Sequence, residues 1–364
     1  MDKKMHFDKA LHPGVYLNKI LQNEGMSQKE LSIRTGMSEK HISTVITGKK
    51  DISASFAKKL EFALSKKMTF WMEKQAEYDN ALYEYKEKHG IDAEELGILS
   101  SLKDITAFLL QKGFIENVTE KPDLVLALRK FMGVTSLKAI PSISYNAAYR
   151  AQVSKNVNVN PYILYAWKRI CEAYVSDINI SATINLDLLQ KKLTDIKNLM
   201  FRSIDCISKN LTAILAECGI AFKVVPHFRG APVQGFISRR SDEKVMLCVT
   251  LRQKRADKFW FTLFHEIGHI INGDADLKFV DFDSAKNEAE EAADLFACDT
   301  LLDSDAYRVF WEEGDFSLQS IKKFAKKQCV KPFIIIGRLQ TEGELDWAAF
   351  PSEMDYYEWV SGTI

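Results

Sequence analysis

The 364-residue sequence predicts an α+β protein, mainly α with a small β-sheet. Three observations carry that prediction. Apolar residues recur at helical spacing along most of the chain. The period breaks after Gly219, where IAFKVVP and VMLCVTL are short, β-branched and aromatic, and are separated by turn formers, as in a hairpin or small sheet. Helical spacing then returns over 256–272, 286–302 and 317–328. The chain divides on this pattern into an N-terminal helical domain (1–79), a helical middle region (80–184) and a C-terminal domain (185–364).

Composition narrows the function classes. Apolar residues are 46% and charged residues 27%, which suits a globular chain with a sizeable core. Lys+Arg and Asp+Glu balance at 49 each, yet the balance is not local. Residues 1–70 hold 13 Lys/Arg against 7 Asp/Glu, a net +6, and residues 260–314 hold 3 against 14, a net −11. A basic segment suits an anionic partner and an acidic one a cation. The six cysteines form no C-x-x-C, and MDKKMHFDKALH lacks the apolar core of a signal peptide, so a reducing, cytoplasmic setting is expected. No apolar run approaches the roughly 18 residues of a membrane span, so no membrane partner is expected.

Within 11–70 the sequence reads as short helices. In MSQKELSIRTGMSEKHISTVITGKK, Ser27 and Glu30 have capping-box spacing, Gly36 makes a turn, and Ser38 caps a second helix that buries Ile42, Val45 and Ile46. Two short helices at a Gly turn make a helix-turn-helix. On the second helix Ser38, Glu39, Lys40, His41, Ser43, Thr44 and Thr47 are free to meet base edges in a major groove, while Gln28, Lys49 and Lys50 can hold phosphates. The alternative is a helical hairpin whose polar face is only solvated. The longer string from HPGVYLNKIL through FWMEKQAEYD, about residues 12–79, resembles Xre-type (lambda-repressor-like) domains, particularly the HigA antitoxin group. That resemblance implies a five-helix fold that binds a double-stranded, palindromic operator, commonly as a homodimer.

The middle region is helical through SSLKDITAFLLQKG and PDLVLALRKFMG, irregular over 138–160, and helical again at PYILYAWKRICEAYV. Its Tyr162, Tyr165, Trp167 and Tyr174 fit core or dimer packing better than a ligand cage. Residues 185–218 read as one or two long helices ending at Gly219.

FTLFHEIGHII holds the second motif. His265 and His269 lie one helical turn apart and can share one Zn²⁺, with Glu266 beside them as a general base. The rest of that helix is apolar, and buried imidazoles and a carboxylate need a partner. A third ligand is sought in NEAEEAADLFACDTLL. Glu290 would complete a two-His, one-Glu set, and Asp294, four residues on, would orient a ligand imidazole. Glu288 and Glu291 are rivals that periodicity does not eliminate. The acid-rich GDADLKFVDFDSAKNEAEEAAD beside the motif either selects basic substrates or is simply solvated.

The pairing of HEIGH with EEAADLFA resembles the ImmA/IrrE metallopeptidases, whose pattern couples H-E-x-G-H to a later acid-x-x-x-Asp/Asn-x-F-A. AECGIAFKVVP, GFISRR and KVMLCVTL match the small sheet before that family's zinc helix, and FSLQSIKKFAKKQCVKPFIIIGRLQTEGELDW its C-terminal helices. The likeness spans about residues 185–347. It departs at Leu302, which Asp303 follows where members often place Pro. The resemblance implies a zincin-like fold and a zinc endopeptidase that cleaves a regulatory protein, often a helix-turn-helix repressor. His227, Tyr307 and Arg338 are unranked candidates for oxyanion stabilisation. Together the two motifs lead to a DNA-binding regulator carrying a zinc peptidase whose substrate is a repressor, an antitoxin-type regulator or the chain itself. The alternative is a HigA-like antitoxin or repressor, partnered by a cognate toxin, whose C-terminal domain binds zinc or a partner without proteolysis.

Overall fold

The computed structural model describes residues 6–7, 10–144, 159–176, 178, 180–239, 243–273, 280–282 and 288–358. The protein is mainly helical with a small sheet. Its contacts divide it into two compact units, Met1–Leu96 with Val118–Ala127 and Gly97–Asn117 with Leu128–Ile364.

The first unit opens on a two-residue ribbon, β1 (His6–Phe7) antiparallel to β2 (Ala10–Leu11). Helices α1 (Pro13–Asn23), α2 (Gln28–Thr35), α3 (Glu39–Ile46), α4 (Ala54–Leu64) and α5 (Met68–His89) follow. Side-chain caps start the short ones. His12, Ser27, Ser38 and Ser53 accept from the backbone N–H groups of Gly14, Glu30, His41 and Phe56. Each of the three serine caps is worth about 1 kcal/mol. The Glu30 carboxylate turns to Arg34 at 2.5 Å, so the Ser27 cap forms without the reciprocal half of a capping box. Leu17, Leu31, Ile42, Val45, Phe56, Leu60 and Trp71 make the core.

Helices α6 (Ala93–Ser101), α7 (Lys103–Gln111), α8 (Lys121–Met132) and α9 (Ile140–Ser144) lead to α10 (Pro161–Ser176). Of the stretch expected to be irregular at 138–160, the described beginning is instead helical, a 3-10 turn at Leu137–Ala139 running into α9, and 145–158 lies outside the described residues. Trp167 is buried on α10, where its Nε1–H donates to the Pro226 carbonyl at 3.1 Å, and Tyr165 donates to the Met132 carbonyl. These aromatics are packing residues. The stretch 185–218 is two helices, α11 (Leu186–Asn198) and α12 (Ile204–Glu217), parted by a 3-10 turn at Leu199–Phe201.

Strands β3 (Ile220–Val225), β4 (Val233–Arg239), β5 (Val245–Thr250) and β6 (Val280–Phe282) form one sheet in the order β3-β5-β4-β6. The two runs read from the sequence are not a hairpin. β3 and β5 lie parallel, Ile220 opposite Val245, and β4 pairs antiparallel with β5. β5 is buried at every position, which is the burial of a strand covered on both faces and explains its unbroken apolar run. β6 falls in the acid-rich segment expected as loop; the residues on either side of it, 274–279 and 283–287, lie outside the described residues.

Helices α13 (Ala256–Asn272), α14 (Glu288–Leu301), α15 (Ser304–Glu313), α16 (Leu318–Lys327) and α17 (Pro332–Glu342) complete this unit. Phe259, Trp260, Leu263, Phe264, Ile267 and Ile270 of α13 sink into the core, each large side chain contributing roughly 1.5–3 kcal/mol. Its first turn is pinned. Arg255 donates to both Asp257 oxygens at 2.9 Å and to Gln340 Oε1 of α17 at 2.7 Å, and Trp260 Nε1 donates to the Tyr357 hydroxyl at 2.9 Å. Asp303 caps α15 by accepting from Ala306 N.

Candidate metal centre

The site forms where α13 lies against α14. Gly268 permits the approach: a Cβ there would stand 3.0 Å from Phe296 and 3.2 Å from the Ala293 backbone. On α14 the buried positions are Glu290, Ala293, Ala297 and Leu301, a stripe at helical spacing that faces α13. The stripe separates Glu290 from its rivals, because Glu288 and Glu291 are exposed. A carboxylate takes the place in that stripe where a small apolar residue would otherwise stand.

His265, Glu266, His269 and Glu290 are each at most 4% exposed. One ligand atom from each of His265, His269 and Glu290 lies within 4.8 Å of the other two, so the group can hold a metal ion. His265 Nε2 is 3.0 Å from His269 Nε2 and 3.1 Å from Glu290 Oε2, and His269 Nε2 is 3.5 Å from the same oxygen. The other nitrogen of His265, Nδ1, is 2.8 Å from Asp294 Oδ1. An ionised carboxylate only accepts, so Asp294 fixes the proton on Nδ1 and leaves a lone pair on Nε2.

The chemistry of this donor set fits a cation. Lone pairs of one imidazole and one carboxylate, with a second imidazole nitrogen, point at a common small volume. Burial raises the Glu290 carboxyl, and the two imidazoles beside it outweigh burial and bring it down to about 2. The group is therefore an anion at neutral pH. Two imidazoles and a carboxylate are borderline-soft and hard donors together, a set that suits a divalent first-row ion.

Glu266 follows His265 on α13 and abuts β4. A Cβ built on Gly235 would fall on the Glu266 carboxylate. One turn earlier, Thr262 donates to Gln234 Oε1 at 2.9 Å. The sequence reading misses Gly235 and Gln234. The available signal is a glycine inside the strand pattern QGFIS, which marks a bulge or a close approach without saying to what.

Two of the oxyanion candidates are engaged with a third residue. Tyr307 donates to Glu342 Oε2 at 2.5 Å, Arg338 Nε donates to Glu342 Oε1 at 2.9 Å, and the Arg338 guanidinium stacks 3.7 Å above the Tyr307 ring. Burial and the Glu342 carboxylate push the Tyr307 hydroxyl far above its ordinary value. His227 is exposed just beyond β3.

The helix-turn-helix positions fall on α2, α3 and the turn after α3. Glu39, Lys40, Ser43, Lys49 and Lys50 are exposed and Gln28 is half-buried. Ser38 is exposed but its hydroxyl is spent on the cap, 3.2 Å from His41 N. Thr44 bonds back to the His41 carbonyl at 2.7 Å. His41 packs edge-on to Phe56 with ring centroids 4.9 Å apart. Burial first, and then Lys50 and Lys59, hold its imidazole below the ordinary value.

Neither protein-family models nor curated proteins match this chain. Among the described residues no helix is long and apolar enough to cross a membrane.

Proposed function

We propose that this chain is a zinc-dependent endopeptidase of the ImmA/IrrE type joined to a lambda-repressor-like DNA-binding domain, acting on a regulatory protein. The observation that carries the reading is the joint placement of His265, His269 and Glu290 around one point with Glu266 buried on the same helix. A site that only held a metal would need no additional carboxylate beside the two histidines. Three protein donors, two of them imidazole, are the number and kind that catalytic zinc sites use, whereas structural sites close with four and favour Cys.

His265, His269 and Glu290 hold the ion, which when bound supplies Lewis acidity and lowers the pKa of water at the site. Asp294 keeps the His265 Nδ1 proton in place so that Nε2 stays available. Glu266 accepts the proton of the attacking water on a carboxylate oxygen and returns it to the departing amine nitrogen. The buried walls around α13 exclude bulk solvent and strengthen each of these interactions.

The DNA-binding half of the proposal is supported by the net +6 of residues 1–70 and by the exposed Lys40, Lys49 and Lys50 beside a capped helix. A homodimer on a palindromic operator follows from the family likeness, as does a repressor or antitoxin-type regulator as substrate.

The test pairs the full chain with Glu266→Gln, each loaded with zinc. Both are incubated alone and with a proteome-derived peptide library, and new termini are read by mass spectrometry. Equal metal content with cleavage by the parent only is the expected result. Identical peptide patterns from the two proteins would defeat the peptidase reading and leave a DNA-binding regulator.

A further inference from the structure

Glu266 cannot reach its position unless the strand beneath it gives way, and β4 does so at one residue. Gly235 is buried in the middle of the sheet, paired with Val249 of β5 on one side. On the other side the register with β6 slips: Val233 faces Phe282 while Phe236 faces Val280. Three steps along β4 match two along β6, so Gln234 and Gly235 form a bulge. A Cβ on Gly235 would overlap Cγ, Cδ and Oε1 of Glu266. All three are side-chain atoms of one residue, and it is the residue that carries the acid-base role in the reading above. Beside the bulge, Thr262 binds Gln234 and fixes the rotation of α13 one turn before Glu266.

We infer that Gly235 is a positioning residue: the β4 bulge and its missing side chain make an alcove that receives the Glu266 carboxylate where α13 meets the strand. The inference rests on the reading of Glu266 as the base, and its geometry does not. Adding a methyl group at 235 removes the alcove. The carboxylate then has to swing away from β4, so the base loses its alignment even though every metal donor is intact. A displacement on the order of 1 Å in a reacting group costs about 100-fold in rate.

The experiment is a four-protein cycle on the full chain: parent, Gly235→Ala, Glu266→Ala and the double variant. Metal-free thermal melts come first. Gly235→Ala is expected to lower the midpoint in the Glu266 background and to leave it nearly unchanged in the Glu266→Ala background, where the overlapping atoms are gone. Equal losses in both backgrounds, or a double variant that fails to fold, would overturn the inference, since the added carbon would then meet something other than Glu266. A single variant that fails to fold while the double variant folds supports it.

Visible absorption of the Co²⁺-loaded proteins is the second readout. The spectrum should stay that of the parent on Gly235→Ala, since no metal donor is touched. A spectrum altered by Gly235→Ala would put the added carbon's effect on the donors and overturn the inference. Where a cleaved peptide is in hand, kcat should fall about 100-fold with KM little altered. If the parent cleaves nothing, the peptidase reading fails, while the melts and the cobalt spectrum still decide the role of Gly235.

Discussion

Asp294 stands 2.8 Å from the Nδ1 of His265, on the side of the ring opposite the nitrogen that meets Glu290. The two acids of α14 thus grip one imidazole from both ends. Only Glu290 is buried, whereas the Asp294 side chain is 58% exposed. Exposure makes the hydrogen bond cheap in stability and leaves its orienting effect intact.

Asp294→Ala should therefore weaken metal affinity by about 10- to 100-fold, the usual consequence of losing the partner that orients a ligand imidazole. The metal-free midpoint should hardly move, because a largely exposed pair contributes little. Competition against a chromophoric chelator measures the first, and a thermal melt in EDTA the second. An affinity unchanged by the substitution would detach Asp294 from the site.

Legibility in the sequence differs from one element of the site to the next. The helix over 256–272 was fully legible, because its apolar residues and its two histidines obey one period. Glu290 was legible only in part. Three acids crowd the start of α14, and what selects one of them is its alignment with Ala293, Ala297 and Leu301, a stripe whose two alanines local pattern alone ranks no higher than solvent-facing ones. The sheet order was not legible: β3 and β5 are neighbours in space but β4 intervenes in the chain, and nothing in VMLCVTL names its partner. β6 was hidden by its length, three residues within an acidic run. Gly235 was visible as a glycine and silent as to purpose, since its neighbour Glu266 is 31 positions away in the numbering and the two meet only after folding.

The first unit carries a pH dependence of determinate sign. His12 is buried, caps α1 through Nδ1 and has Tyr78 edge-on at 4.7 Å, with Asp51 3.8 Å from Nε2. Burial lowers its pKa, and the opposing pull of Asp51 and Asp79 does not make up the difference. His41 is lowered as well. Both imidazoles therefore bind a proton less readily folded than unfolded. Stability is fully present above the unfolded value of 6.5 and is lost as pH falls from there towards the folded values. Hydrogen exchange in α1 and α3 peptides, corrected for intrinsic exchange rates, should show protection declining below pH 6.5. Constant protection into the mildly acidic range would contradict the burial assigned to both rings.

Lys40, Lys49 and Ser38 should separate DNA contact from helix stability. Lys40→Glu with Lys49→Glu is expected to weaken binding to a cognate promoter and to flatten its salt dependence by about 0.9 in log–log slope for each phosphate that is no longer neutralised. The fold should be unaffected, since both side chains are exposed. Ser38→Ala removes the cap of α3 and should cost about 1 kcal/mol of stability without altering the salt slope. Filter binding across a salt series, beside urea melts, distinguishes the two. A lysine double variant that binds as tightly as the parent would remove the DNA assignment.

The metal donors come from two helices, with His269 and Glu290 separated by 20 residues of chain. An ion held between them would clasp α14 to α13 as a removable rivet, adding to the native state an increment that grows with the logarithm of free ion concentration. Chelation would then act on more than the chemistry. It would also loosen α14 from its neighbour, so that loss of the ion would be felt along the close seam where Gly268 meets Ala293 and Phe296.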